Sequence, residues 1–424
     1  MVAFFGAESG DRIGDKLSLY TTLPFVAMLL AIAVCPLQIP HWWERNQNKL
    51  LVSSVLGLPV LVLYLVREPR ALVRMGEEYV SFILLLAGLY VISGGVLVRG
   101  DLRATPLTNT GFLALGSVLA SFVGTTGASM LLIRPLLQTN QERTRVKHTV
   151  IFFIFLVSNI GGLLTPLGDP PLFLGYLQGV PFSWTFRLWP SWLLAVATLL
   201  LVYFIWDSIL YTREPLRALQ RDRTQIQPLR ILGVLNGLWL VGVVLAVAFF
   251  REPWREVIIV ALAGLSLWRT PREIRRANGF TAYPMVEVAV LFFGIFLTMI
   301  PALELLRLRG GELGVREPWQ FFWATGVLSS FLDNAPTYLT FLALGQGLGV
   351  ANEVAGVPHA ILAGISVGAV FMGANTYIGN APNFMVKSIA EEAGVKMPSF
   401  FGYVAYSGGI LLPLFTVVTF LFFR

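Results

Sequence analysis

Residues that break helices and residues that carry oxygen interrupt a long apolar run in the first half of the chain. Residues 158–172 read Ser-Asn-Ile-Gly-Gly-Leu-Leu-Thr-Pro-Leu-Gly-Asp-Pro-Pro-Leu. Three prolines and a glycine fall within residues 166–171, so a helix through this stretch must break. The break frees backbone carbonyl and N–H groups beside side-chain oxygens, a combination that predicts a site for a hard cation or a carboxylate.

Asp169 is the only Asp, Glu, Lys or Arg between Lys147 and Arg187. A charge inside a membrane span costs about 2.5–3.5 kcal/mol on insertion scales, so its presence indicates a function. The alternative is structural, because Asp169 is also well placed to cap a helix that begins at Pro170.

The second half of the chain contains a similar helix-breaking motif, but the acidic residue that stands alone in an apolar stretch lies outside that motif. Residues 372–383 read Met-Gly-Ala-Asn-Thr-Tyr-Ile-Gly-Asn-Ala-Pro-Asn, and Asn380 stands where the first half has Asp169. Asp333 is the only acidic or basic residue in positions 318–352. A bare carboxylate in a membrane must bind a cation, find a partner or take up a proton, so both aspartates are predicted to exchange Na⁺ or Li⁺ for H⁺.

The predicted ion site draws on both halves and needs no cofactor beyond these coupling ions. Its predicted ligands are Asp169, Asp333, Asn159, Thr165, Asn334, Asn375 and Thr376. Further residues predicted to line it are Thr125, Thr126, Ser158, Gly168, Thr337, Gly379 and Asn380.

The two halves align with each other in the same order. Residues 119–125 match residues 328–334, and residues 165–173 match residues 376–384 about 210 positions later. Each half is predicted to hold five spans and one hairpin. Because five is odd, equivalent elements enter the membrane from opposite faces, which predicts an inverted-topology repeat.

The composition predicts the setting of these motifs. Of the 424 residues, 56% are hydrophobic and 13% charged, against about 25% charged in soluble domains. These values predict an all-α polytopic protein whose main partner is the lipid bilayer, and they exclude a soluble enzyme. The net charge of +7 lies in short loops, so nucleic-acid binding is also excluded.

Apolar runs of spanning length predict ten membrane helices and two re-entrant hairpins. The predicted spans are 18–38, 50–66, 79–98, 148–178, 184–207, 230–250, 255–270, 283–303, 358–387 and 399–423. The predicted hairpins are 108–138 and 319–345, although each could instead be two ordinary spans. Glu78 and Glu287 are each expected to open a span just before a hairpin.

The predicted domains are the two repeats, 1–208 and 229–424, joined by a basic linker at 209–228. Placing this linker in the cytoplasm also places most other loop Lys and Arg residues there, as the positive-inside rule requires. The protein is therefore expected in the inner cell membrane with both termini outside.

At these motifs the sequence resembles the ion transporter superfamily. Residues 159–169 resemble the helix break of NhaD-type Na⁺/H⁺ antiporters, and residues 330–336 resemble their second hairpin. ArsB-type arsenite permeases and citrate or dicarboxylate symporters belong to the same superfamily. Thr125 and Thr126 depart from the acidic pair of the NhaD-type tip. The resemblance implies an elevator-type homodimer, in which a transport domain carries both hairpins and both broken helices against a scaffold domain.

Two functions fit these observations. The first is Na⁺(Li⁺)/H⁺ antiport, and the alternative is Na⁺-coupled symport of a citrate- or dicarboxylate-type anion. The aspartates favour antiport, because a fixed negative charge repels an anionic substrate. Arg134 either attracts such a substrate or reaches the cytoplasmic interface. The chain contains no Walker loop, and an enzymatic activity is not expected.

Overall fold

The computed structural model describes residues 17–224, 228–349 and 354–424, and these are predominantly helical. The helices are α1 (Leu23–Gln38), α2 (Pro40–Trp43), α3 (Asn46–Arg67), α4 (Pro69–Ser93), α5 (Pro106–Val123), α6 (Thr125–Thr139), α7 (Lys147–Leu156), α8 (Pro170–Leu177), α9 (Trp189–Tyr211), α10 (Leu216–Thr224), α11 (Leu235–Phe249), α12 (Trp254–Arg269), α13 (Arg272–Ala277), α14 (Tyr283–Arg309), α15 (Pro318–Phe331), α16 (Asn334–Gln346), α17 (His359–Met372), α18 (Ala381–Glu392) and α19 (Phe400–Phe422). Two short strands, β1 (Leu97–Arg99) and β2 (Arg230–Leu232), pair antiparallel.

Eight described segments are long and apolar enough to cross a membrane: Leu19–Pro36, Asn46–Arg67, Pro69–Ser93, Pro106–Val123, Lys147–Leu164, Phe182–Tyr211, Tyr283–Leu313 and Phe400–Phe422. Seven of them coincide with predicted spans, and α11, α12 and α17 occupy the positions of the other three. The eighth, α5, is the first arm of the first predicted hairpin. The prediction of an all-α polytopic membrane protein is confirmed.

The predicted start of the third span was wrong by ten residues. Helix α4 begins at Pro69, so Glu78 lies within the helix and does not open it. Arg70, Arg74 and Glu77 lower the hydropathy of the first turns, while proline suits the first helical position, where no N–H bond is needed. Glu287 does lie in the second turn of α14, as predicted, and pairs with Lys49 at 2.6 Å.

Residues 230–232 were predicted as the start of a span, but they form β2. Val98 pairs with Ile231, and Gly233 ends the strand with a φ of +74°. This backbone pairing, which hydropathy cannot reveal, ties the segment before the first hairpin to the start of the second half.

Helices α5 and α6 form a hairpin with its tip at Gly124. Gly124 has a φ of +82°, a conformation that favours glycine. The far ends of the hairpin meet where the amides of Asn109 and Asn140 exchange hydrogen bonds of 2.9 and 2.8 Å. The chain therefore turns back on itself where the sequence predicted a tip. That the hairpin re-enters the same membrane face stays a prediction.

Helices α15 and α16 pack against each other as a second pair of arms, and Leu332 and Asp333 form the turn between them. Pro336 lies in the first turn of α16, where a missing N–H costs no helix bond. The tip predicted near Asn334 is thus where the structure has the turn.

Two helices are interrupted, and each interruption lies at a predicted break. Between α7 and α8 the chain forms one 3₁₀ turn, Ile160–Leu164, and between α17 and α18 it forms another, Gly373–Asn375. In each break, the backbones of two glycines lie in contact. A Cβ on Gly168 would collide with the carbonyl oxygen of Gly162, and one on Gly379 would lie 2.6 Å from that of Gly373.

The linker between the halves packs on the base of the first hairpin. Asp222 accepts a hydrogen bond from the backbone N–H of Ala104 at 2.9 Å. Glu214 accepts bonds from the backbone N–H groups of Thr144 and Arg145, both at 3.0 Å. Part of this linker therefore holds the hairpin base in place.

Candidate functional site

The side chain of Asp169 lies at the point where both hairpins and both helix breaks meet. It is 1% exposed. Its Oδ1 accepts hydrogen bonds from Thr125 Oγ1 at 2.9 Å and Asn380 Nδ2 at 3.1 Å, and its Oδ2 accepts one from Asn334 Nδ2 at 2.6 Å. Thr125 lies at the first tip, Asn334 at the second, and Asn380 in the second break. We call these four residues the Asp169 centre.

Four helices begin at this centre. Thr125 and Asn334 are the first residues of α6 and α16, while Asp169 and Asn380 immediately precede α8 and α18. Each helix N-terminus carries a partial positive charge, so the convergence favours one negative charge between them. In this fold, Asp169 supplies that charge.

The Asp169 carboxylate is not neutralised by a cationic side chain in the part of the chain that the structure describes, where ion pairs occur elsewhere. All three of its donors are uncharged. Beside it, the buried Oδ1 of Asn334 has no hydrogen-bond partner among the described residues. A carboxylate next to an amide oxygen that has no hydrogen-bond partner offers the oxygen ligands that small hard cations prefer.

The carboxylates of Asp169 and Asp333 differ in their hydrogen-bond partners. Asp169 precedes α8, but it accepts no capping hydrogen bond from the described backbone of that helix. The capping alternative for its side chain is therefore wrong. Asp333, in contrast, caps α16 by accepting a bond from the N–H of Ala335 at 3.0 Å. It is also half-buried, while Asp169 is enclosed.

Amide side chains connect the two breaks next to the Asp169 centre. Asn159 Nδ2 donates to Asn383 Oδ1 at 2.7 Å, and Asn383 Nδ2 donates to the backbone oxygens of Gly373 and Thr376. Asn380 Nδ2 also approaches the backbone oxygen of Ser158 at 3.1 Å. Moving one break relative to the other would disrupt these buried bonds.

Thr165 and Thr376 fasten each break to its own hairpin. The Thr165 hydroxyl donates to the backbone oxygen of Ser121, and the Thr376 hydroxyl donates to that of Ser330. Each hydroxyl also accepts a backbone N–H two residues later, at 3.1 Å for Thr165 and 3.2 Å for Thr376. The same bonds thus recur in both halves, as the sequence alignment implies.

The remaining predicted residues lie around the centre in supporting positions. The Asn375 amide donates to Ser330 Oγ at 2.9 Å and leaves its Oδ1 unpartnered among the described residues. The Gly168 carbonyl accepts the N–H of Thr125 at 2.8 Å, and the N–H of Gly379 bonds the Thr376 hydroxyl. Three predicted side chains do not bond Asp169. The Thr337 hydroxyl bonds the backbone of Asp333, and the Ser158 hydroxyl bonds the hydroxyl of Ser129. Thr126 is half-buried.

Sequence reasoning missed three residues that the structure places in this network. Asn383 joins the two breaks, and the hydroxyls of Ser121 and Ser330 bond the backbone oxygens of Gly161 and Met372. A signal for the serines was present, since Ser121 and Ser330 occupy equivalent positions in the aligned tips. Asn383 ends the second motif but aligns with an apolar residue of the first, so the repeat gave no signal for it.

Comparison with known proteins adds to this geometry. The family described as "Putative citrate transport" matches residues 14–423 of the chain. Proteins named uncharacterized transporter from Mycobacterium bovis and Mycobacterium tuberculosis are each 26% identical over 348 residues, which cover 74% of this chain and 79% of theirs. A 46 kDa membrane protein of Mycobacterium leprae is 26% identical over 318 residues, 67% of this chain and 69% of its own length.

Proposed function

The chain belongs to this family and is a multi-pass membrane transporter, and we propose that it exchanges Na⁺ or Li⁺ for H⁺ at Asp169. The observation that carries the proposal is the enclosed Asp169 carboxylate, which is surrounded by uncharged donors and has no cationic partner among the described residues. Such a group stays charged at membrane depth only when a cation compensates it, and otherwise it takes up a proton.

The exchange needs one group that holds either ion but not both. When Na⁺ approaches the carboxylate and the Oδ1 of Asn334, the Asp169 proton leaves, and a returning proton displaces Na⁺. The neutral protonated form and the cation-bound form are the states that cross the membrane. Because the free carboxylate is unfavourable in the closed site, the two fluxes are coupled.

Na⁺-coupled uptake of a citrate-type anion is the second candidate, and the family description favours it. Four helix N-termini can also hold a substrate carboxylate. At this centre, however, Asp169 already occupies the position that they favour. An anionic substrate would have to bind beside a fixed negative charge, which is why we place antiport first.

The architecture that accompanies this function is also a proposal. The hydrogen bonds that recur at Thr165 and Thr376 support two equivalent repeats, which we take to be inverted across an inner cell membrane. A homodimer that moves the hairpins and breaks against a scaffold, with both termini outside, completes the proposal. Cysteines at Leu107 and Gln138, in a chain with Cys35 replaced by Ala, should be labelled from the same, cytoplasmic face. Labelling from opposite faces would mean that the first hairpin crosses the membrane.

Reconstitution into proteoliposomes tests the proposed exchange. An outward or inward Na⁺ or Li⁺ gradient should move protons without any organic anion, and labelled citrate or succinate should not accumulate. Asp169→Asn should abolish the proton signal, whereas Glu392→Gln, which changes an exposed carboxylate, should leave it unchanged. Gradient-driven citrate accumulation without proton countertransport would instead establish the second candidate.

A further inference from the structure

A cavity of about 400 Å³ lies at the base of the first hairpin, away from the Asp169 centre. The last turns of α6, the loop after it and the segment after α18 form its wall, and Arg134, Gln138, Gln141 and Arg143 contribute polar side chains. Ligand pockets for small molecules typically enclose about 300–1,000 Å³, so this space has room for a small metabolite.

Two guanidinium groups in this wall have buried N–H groups without a hydrogen-bond partner among the described residues. They are Nη1 of Arg134 and Nε of Arg143. A buried donor without an acceptor is destabilising, so two such donors beside one cavity favour a bound molecule that supplies the acceptors. The buried Nη1 also argues against an Arg134 side chain that merely extends to the lipid headgroups.

The two arginines differ in charge balance. Arg143 is 6% exposed and bonds Asp207 through Nη1 and Nη2 at 3.0 and 2.7 Å, so its charge is compensated. Its Nε lies 3.7 Å from Glu214, beyond hydrogen-bond distance. Arg134 forms no ion pair within the described residues. The cavity therefore carries one uncompensated positive charge together with donors from Arg143 and two glutamines.

We propose that this cavity binds a small oxyanion, through carboxylate or phosphate oxygens, at a site separate from the Asp169 centre. A guanidinium presents paired donors that match a carboxylate or phosphate, and a cationic ligand would be repelled by Arg134. Arg134 lies nine residues beyond Thr125 on the same helix, about 13 Å along its axis. The inference goes beyond the proposed exchange and does not depend on it.

Helices α6 and α18 lead from one site to the other. Both begin at the Asp169 centre, pack against each other and end at the cavity wall. An anion bound at their far ends would contact residues from the first hairpin and from the second break together. It would therefore stabilise their present arrangement.

Calorimetry on the full-length protein in nanodiscs of neutral lipid tests the site, with citrate and inorganic phosphate as probes. We expect one anion per chain and a loss of affinity of about tenfold or more in Arg134→Gln, because a charge-assisted bidentate contact is removed. Gln138→Glu should weaken binding similarly by adding a negative charge to the wall. Arg251→Gln, an exposed arginine outside the cavity, should bind like the wild type.

The controls separate this site from the Asp169 centre and from lipid. Asp169→Asn should keep its anion affinity; if it loses affinity while Arg134→Gln keeps it, the anion binds at the centre and the proposal is wrong. If neither probe binds but phosphatidylglycerol raises the unfolding temperature of the wild type and not of Arg134→Gln, the oxyanion is a lipid headgroup. The absence of any difference between wild type and Arg134→Gln overturns the proposal, and Arg134→Lys replaces the Gln variant if that one fails to fold.

Discussion

The two hairpin-and-break units share one framework but carry different chemistry. In each unit a threonine from the break donates to the backbone of a tip serine, and two glycines close the break. The first unit places Asp169 where the second has Asn380, and the second unit places Asp333 where the first has Gly124. The same backbone arrangement therefore occurs in both units, whereas the enclosed carboxylate belongs to the first unit.

This difference shows that a lone charge in an apolar stretch does not by itself define an ion site. Asp169 and Asp333 look equivalent by that criterion, yet only Asp169 collects donors from all the other motifs. Asp333 caps its own helix. The cap is one local backbone bond, whereas the bonds to Asp169 come from three other segments of the chain, so the two carboxylates should respond very differently to substitution.

Asp169→Asn should have the largest effect of any single change. Asparagine keeps the size of the side chain and one acceptor oxygen but cannot titrate, so proton-coupled cation flux in proteoliposomes should fall to background. Folding should survive or improve, because a buried charge has been removed. In the wild type, the pH profile of flux should shift with Na⁺ concentration, since both ions compete for one carboxylate. Full, pH-dependent exchange in the variant would rule out Asp169 as the carrier of charge.

Moving the charge across the pseudo-symmetric pair should have the next largest effect. Asn380 Nδ2 lies 3.1 Å from Asp169 Oδ1, so Asn380→Asp alone places two carboxylates in contact and should impair exchange and stability. The double variant Asp169→Asn/Asn380→Asp restores a single carboxylate at the centre. We expect it to recover part of the flux and of its Na⁺ dependence, measured in the same assay. A double variant as inactive as Asp169→Asn would mean that the two breaks are not interchangeable.

The sequence predicted the framework of these units better than their chemistry. Breaks and tips follow from local rules, because Gly and Pro end helices wherever they lie, and both tips and both breaks were placed correctly. The contacts of Asn383 depend on tertiary packing between halves that are distant in sequence, so no local pattern predicts them. Hydropathy likewise missed the polar first turns of α4 and the strand pairing of β2.

The predicted ligand set shows the same limit. Thr165 and Thr376 were predicted as ion ligands from their type and position, and the structure gives their hydroxyls a fastening bond to the hairpin backbone. Residue type identified oxygen-bearing side chains near the breaks. Only the folded geometry separates those that bond Asp169 from those that hold the framework.

Removing the hydroxyl of Thr165 or Thr376, which bonds the hairpin backbone, should have a smaller effect than the changes at Asp169 and Asn380. The effect should be similar in the two units. Thr165→Val and Thr376→Val each leave buried backbone groups without a partner, which costs about 1–3 kcal/mol, so both should lower the unfolding temperature by similar amounts. Apparent Na⁺ affinity should also weaken, because the breaks are less well positioned, as we expect for Ala at Asn159 and Asn375. Thr340→Val removes a bond within α16 and serves as the matched control. Unequal losses would show that the two frameworks are not equivalent in strength.

Asp333→Asn should have the smallest effect. Asparagine caps helices about as well as aspartate, so the N-terminus of α16 should be retained and the unfolding temperature should hardly change. Asp333→Ala removes the cap at a cost of about 1 kcal/mol and should be less stable than the Asn variant. Both variants should keep most of their Na⁺-driven proton flux, because neither alters the donors to Asp169. If Asp333→Asn loses flux as completely as Asp169→Asn while remaining folded, both carboxylates carry ions, and the contrast between a functional carboxylate and a capping one must be abandoned.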